Sequence, residues 1–163
     1  MALTTIGDHV AILPETAGGH MSTKAILQRL GLIVHELEVD YTNQKIDIDA
    51  SLDMLKKYSP KVIFMIAVKV LVYEDFSWLK EVPSYKIFDA SQYLTNIISK
   101  DYPNPFQWGF DLILTTLHKN STRPQRAMIC TREKMQIGIL LNLELALMYL
   151  ICMFFRYIQQ VSY

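Results

Sequence analysis

The chain has 163 residues, enough for one domain with a real core. Lys plus Arg number 16 and Asp plus Glu number 16, a formal net charge of +0, which argues against a nucleic-acid-binding face and against an acidic tail. A hydrophobic content of 51% argues against disorder.

The first apolar run, His9-Val10-Ala11-Ile12-Leu13, is closed by Pro14 and predicts a strand. Ser22 to Leu30 follows with helical spacing (Ala25, Ile26, Leu30), Ser22 or Thr23 standing at the N-cap. Leu32 to Val39 alternates apolar and polar, the pattern of a strand near a sheet edge or with one solvated face. Tyr41-Thr42-Asn43-Gln44 reads as a turn, and Asp49 to Tyr58 as an amphipathic helix stopped by Ser59-Pro60. Lys61 to Val68 is a nearly unbroken apolar run that fits a strand buried on both faces. A short helix (Phe76 to Lys80) precedes a Tyr85 to Phe88 strand. A helix from Ser91 to Ser99 leads into the proline-rich loop Tyr102 to Pro105. Strands at Phe110 to Thr116 and Ala127 to Thr131 complete the pattern.

Strands alternating with helices imply right-handed crossovers and an α/β fold, a mainly parallel sheet with helices on both faces. Ligands of such sheets bind beyond the carboxyl ends of the strands. Asp89 and Lys119 are both expected at those ends.

From Lys134 the character changes, so the chain divides into residues 1–133 and an apolar tail, 134–163. Ile137 to Phe155 has the propensity of a helix and a length approaching a membrane span. Asn142 and Glu144, and the lack of a strongly basic flank, favour burial against protein over spanning. Cys130 and Cys152 have no CxxC spacing and read as buried thiols of a reducing compartment. Met1 to Gly7 has no basic-then-apolar pattern, so a cytoplasmic protein without a signal peptide is the expectation. His, Asp and Glu show no metal-ligand spacing.

Several segments, in order, carry a resemblance. Gly18-Gly19-His20 follows the first strand. Val39-Asp40, Ile46-Asp47 and the Leu52/Leu55 helix come next, then Ser59-Pro60-Lys61-Val62-Ile63. Phe88-Asp89, Pro103-Asn104-Pro105 and Thr115-Thr116-Leu117-His118-Lys119 follow, with Pro124 and the Ala127 to Cys130 strand closing the series. Together these resemble the middle of the large domain of serine hydroxymethyltransferase, a fold-type-I pyridoxal 5'-phosphate (PLP) enzyme. The match covers about three-quarters of the chain.

The resemblance implies roles. The lysine at the Lys119 position is the Schiff-base lysine, and the aspartate at the Asp89 position pairs with the pyridinium nitrogen. The histidine at the His20 position stacks on the ring. Thr116 and His118 stand where the family lines the pocket near the reacting carbons. The family converts serine to glycine, passing the hydroxymethyl group to tetrahydrofolate, and builds its sites across a homodimer. Chemistry agrees with these roles. Burial and a cationic ring favour the neutral amine that attacks an aldehyde. A buried carboxylate facing a pyridinium stays ionised because its partner offsets the desolvation.

The departures are specific. Gln92 stands three residues after Asp89 where the family has histidine; it can hydrogen-bond the ring oxygen of the cofactor but cannot exchange a proton. Arg123 and Gln125 replace a glycine and an arginine. Ala67-Val68-Lys69-Val70 lacks the small polar residues expected there. The family's serine-rich phosphate turn is expected ahead of this segment, its small C-terminal domain is not expected within it, and residues 134–163 do not resemble that domain. Open readings are therefore hydroxymethyl transfer, another PLP reaction (transaldolase, aldolase or aminotransferase), a truncated non-catalytic fragment acting as a binding or regulatory partner, and a protein tethered to a membrane through 137–155.

Overall fold

The structure is a computed structural model that describes residues 3–43, 45–67, 74–119 and 126–131. Two compact units divide the chain: Thr5–Arg132 carries the fold set out below, and Met1–Thr4 with Glu133–Tyr163 lies almost wholly outside the described residues. The expectations for 137–155, Cys152, Gln44, Val68 to Val70 and Arg123 to Gln125 fall outside the described residues too.

A sheet of six strands forms the centre, in the order β2-β1-β5-β6-β7-β8. These are β1 (His9–Ile12), β2 (Ile33–Glu36), β5 (Val62–Ile66), β6 (Tyr85–Asp89), β7 (Leu112–Thr116) and β8 (Ala127–Thr131). The first five pair in parallel, and β8 pairs antiparallel to β7. The mainly parallel α/β sheet expected from the sequence is the sheet observed. β2, whose alternation predicted a strand near an edge or with one solvated face, is an edge strand, and the apolar β5 is central.

Two short strands, β3 (Val39–Asp40) and β4 (Lys45–Ile46), make a separate antiparallel pair around the expected turn. Asp40 builds that turn, its carboxylate accepting from the amides of Thr42 and Asn43 and from the Asn43 side chain. The alternation of Leu32 to Val39 ran through both β2 and β3, so sequence alone did not separate them.

Helices cover both faces. Helix α2 (Ile48–Tyr58) is capped by the Asp47 side chain, which accepts from the Ala50 amide at 3.0 Å. It ends at Ser59, whose φ of 43° lies in the left-handed region, and Pro60 cannot continue the helix. Its buried Met54 and Leu55 join Ala11, Ile63 and Met65 in the core. On the opposite face lies α1 (Thr23–Arg29), held to the edge strand by an ion pair between Lys24 and Glu36. Helix α3 (Leu94–Ser99) starts later than predicted because residues 91–93 form a turn.

Aromatic packing positions β6. Phe88 is fully buried and meets Phe110 edge-on at 5.3 Å between ring centroids. Phe76 meets Trp108 edge-on at 5.6 Å, and Tyr93 stacks on Tyr102 at 4.7 Å. Strand alternation then turns Asp89, the next residue after Phe88, to the α1 face of the sheet.

Candidate functional site

Three chain segments converge at the carboxyl ends of β1, β5, β6 and β7. The first is the loop after β1. A 3-10 turn, Glu15–Ala17, ends at Gly18, whose φ of 91° suits glycine. Gly19 follows in a space too tight for any side chain: a Cβ there would lie 2.1 Å from the Leu13 carbonyl oxygen and 2.8 Å from that of Pro14. Gly19 pairs antiparallel with Ala67 at the end of β5. His20 is thereby set beside the strand ends. Its Nδ1 faces the Ser22 hydroxyl at 2.9 Å and the Ser22 amide at 3.3 Å, and the ring is exposed.

The second segment is the end of β6. Asp89 is the last residue of the strand and pairs in register with Ile66 and Leu114. Its Oδ1 accepts from the Ser91 amide at 2.8 Å, and among the described residues no cation pairs with it. The carboxylate thus organises the turn at 91–93; it does not cap α3, whose N-cap is Tyr93. The third segment is the turn after β7, where the Leu117 amide donates to the Arg126 carbonyl at 2.8 Å. Lys119 lies on this turn.

These segments enclose an open cleft of about 240 Å³. Its polar lining includes His20, Ser22, Asp89, Ser91, Gln92 and Lys119; its apolar wall is Ile26 and Leu27 of α1 with Phe64 and Ile66 of β5 and Ala67 just after it. Four residues singled out from the sequence therefore share one cleft: His20, Asp89, Gln92 and Lys119. Thr116 and His118 are not among its lining residues. His118 is exposed. The Thr116 Oγ1 is buried and, among the described residues, has no hydrogen-bond partner. Its amide donates to the Ser91 Oγ at 3.1 Å.

Sequence reasoning missed Ser91, Ser22 and the apolar wall. Ser91 and Ser22 each stand two residues after a site residue, the spacing of a local side-chain turn, which is the signal that was available. The apolar wall had no local signal, since Ile26 and Phe64 meet only through the crossover.

A second site of about 510 Å³ lies by the edge strand, lined in part by His35, Glu36, Glu38, Tyr41 and Tyr58. The His35 Nε2 and His9 Nδ1 are 3.1 Å apart, and His35 stacks on Tyr58 at 4.0 Å. Burial, and then the neighbouring His9, hold the His35 imidazole below its ordinary value. Both histidines are half-buried. Among the described residues no group of three or more His, Cys, Asp or Glu is placed to hold a metal, and no helix is long and apolar enough to cross a membrane.

No family model matches the chain. Curated relatives do. The serine hydroxymethyltransferase of Archaeoglobus fulgidus is 26% identical over 140 residues, covering 82% of this chain and 32% of the relative. That of Pyrobaculum aerophilum is 32% identical over 136 residues, covering 80% and 32%. That of Thermococcus onnurineus is 29% identical over 137 residues, covering 78% and 31%. Among solved structures, L-threonine transaldolase from Pseudomonas fluorescens in its internal aldimine state superposes with a TM-score of 0.74 at 19% identity, covering 83% of this chain and 32% of the other. That likeness shows the fold. The chain spans about a third of the length of the curated relatives it matches.

Proposed function

We propose, from the premise that the chain is a divergent partial relative of the serine hydroxymethyltransferases, that its cleft is a PLP site with Lys119 as the Schiff-base lysine. The single observation that carries the reading is the gathering of His20, Asp89, Gln92 and Lys119 around one cleft at the strand ends. When bound, PLP would supply an electron sink for bonds at an amino acid's α-carbon.

The donor set fits the group. Asp89 is half-buried, has one oxygen engaged by the Ser91 amide, and has no cationic partner among the described residues. Its Oδ2 would hold a proton on the ring nitrogen. Lys119 Nζ would hold the cofactor's aldehyde carbon. His20, whose Nδ1 meets Ser22, would cover a ring face, and Gln92 would bond the ring oxygen without moving a proton. The apolar wall of Ile26, Leu27, Phe64 and Ile66 would exclude water from the opposite side. Thr116 and His118 lie outside the cleft lining, and only the family resemblance supports a role for them near an amino-acid substrate. No phosphate cradle is present among the described lining residues.

The reaction we favour is serine-to-glycine conversion with one-carbon transfer to tetrahydrofolate; transaldolase, aldolase or aminotransferase chemistry on the same residues is the near rival, since Gln92 departs from the family at the proton-exchanging position. The test is an assay of glycine formed from serine with PLP and tetrahydrofolate, against a Lys119→Ala control. Lysine-dependent glycine formation supports the reading. Serine left intact while threonine or glycine exchanges its α-proton would shift it to the rival.

One observation favours a second reading. At about 240 Å³ the cleft is smaller than the roughly 300–1,000 Å³ of ordinary ligand pockets. Such a half-site suits a non-catalytic chain that binds a longer homologue in a dimer. Co-purification with a full-length serine hydroxymethyltransferase, without turnover of its own, would favour it. The proposed compartment is the cytoplasm.

A further inference from the structure

Where β6 leaves the sheet, the ladder to β7 loses its regular partners. The last paired residues are Asp89 and Leu114. One step on, the Ala90 amide donates to the Leu114 carbonyl at 2.7 Å. Beyond that point β6 has turned away, and the Thr116 amide has no β6 carbonyl to meet. Ser91 fills the gap: its Oγ accepts from the Thr116 amide at 3.1 Å, while its own amide donates to the Asp89 Oδ1 at 2.8 Å. The Thr115 hydroxyl adds a longer contact to the Ala90 carbonyl at 3.4 Å.

We infer that Ser91 is a positioning residue that joins the two strand ends of the cleft. It orients the Asp89 carboxylate through its backbone and holds the Lys119-bearing turn through its side chain. Ser91 is buried, at 5% exposure, so water does not readily replace its hydroxyl at the Thr116 amide. The turn carrying Lys119 begins directly after Thr116. A β7 end free to fray would let the amine drift from the carboxylate, and a catalytic constellation tolerates little such drift.

The inference rests on the reading of the cleft as a PLP site, and the test separates the two. Ser91→Ala removes the hydroxyl and keeps the amide, so the Asp89 contact survives and the Thr116 contact is lost. Two quantities are measured in the full chain: amide hydrogen exchange at Thr116 without cofactor, and the fraction of borohydride-fixed PLP carried by Lys119. We expect exchange at Thr116 to rise at least tenfold while the amides of residues 112–114 keep their protection. We expect the Lys119 share of label to fall several-fold, and the pH midpoint of the bound-cofactor absorbance to move. Unchanged exchange at Thr116, or increased exchange throughout β7, would overturn the clamp. Unchanged labelling and midpoint with the expected exchange would overturn its role toward the cofactor. An unaltered protein that takes no label on Lys119 would overturn the cofactor reading itself, and with it that role, whatever the exchange shows.

Discussion

Gly19 forms an antiparallel bridge with Ala67. That single pairing ties the loop bearing His20 to the strand adjoining β6, and so to Asp89. It is available only to glycine, because a Cβ at residue 19 would lie 2.1 Å from the Leu13 carbonyl oxygen.

Gly19→Ala is therefore expected to destabilise the fold by about 3 kcal/mol, the upper end for overpacking, since the obstructing atoms are backbone. Thermal unfolding should shift down by roughly 10 °C. Gly7→Ala is the comparison: its φ is 88° but nothing lies within 4 Å of the added Cβ, so a loss of about 1 kcal/mol is expected. Equal losses for the two would contradict the close approach.

Thr116→Val replaces a buried hydroxyl, unpartnered among the described residues, with a methyl of similar size. Leaving a polar atom unsatisfied costs about 1–3 kcal/mol. The cofactor-free protein should gain about 1 kcal/mol in denaturant unfolding. If the hydroxyl contacts substrate, as the family resemblance implies, the same variant should weaken amino-acid binding. A destabilised variant would mean that the hydroxyl is satisfied in solution.

Stability should depend on pH through His35. Its folded value is lowered by burial and then by His9, from an ordinary value of 6.5. The unfolded chain then binds more protons than the folded chain in the window just below 6.5, so stability falls as pH drops through that window. His35→Phe keeps the stack on Tyr58 and should flatten the slope. Identical pH profiles for the two proteins would rule out this assignment.

The parts of the fold legible in the sequence were those with a period. β1, β5 and the amphipathic α2 follow from apolar spacing, and β2 at the edge follows from its alternation. The β3–β4 pair escaped because two-residue strands carry too little pattern. α3 began three residues late because the Asp89 side chain captured the Ser91 amide, a local competition that propensity does not register. Of the site, Asp89 was legible as a strand end, Lys119 lies on the turn three residues past the end of β7, and His20 was reached only through the family resemblance. Ser91 was not legible, since its role arises only once β6 and β7 lie side by side.

Asp89→Asn should retain the contact to the Ser91 amide, because the side-chain oxygen remains. It removes the negative charge that, on the proposed function, would face the cofactor ring. PLP affinity should fall about tenfold, equivalent to about 1.4 kcal/mol, with thermal stability little changed. Equal affinity by absorbance titration would detach Asp89 from the cofactor.

The most direct measurement is an absorbance spectrum of the purified protein with PLP, followed by borohydride reduction and peptide mapping of the modified lysine. A long-wavelength band and label concentrated on Lys119 are the expected result. No band, or label spread over other exposed lysines such as Lys56, Lys57 and Lys100, would mean that the chain keeps the scaffold without the chemistry.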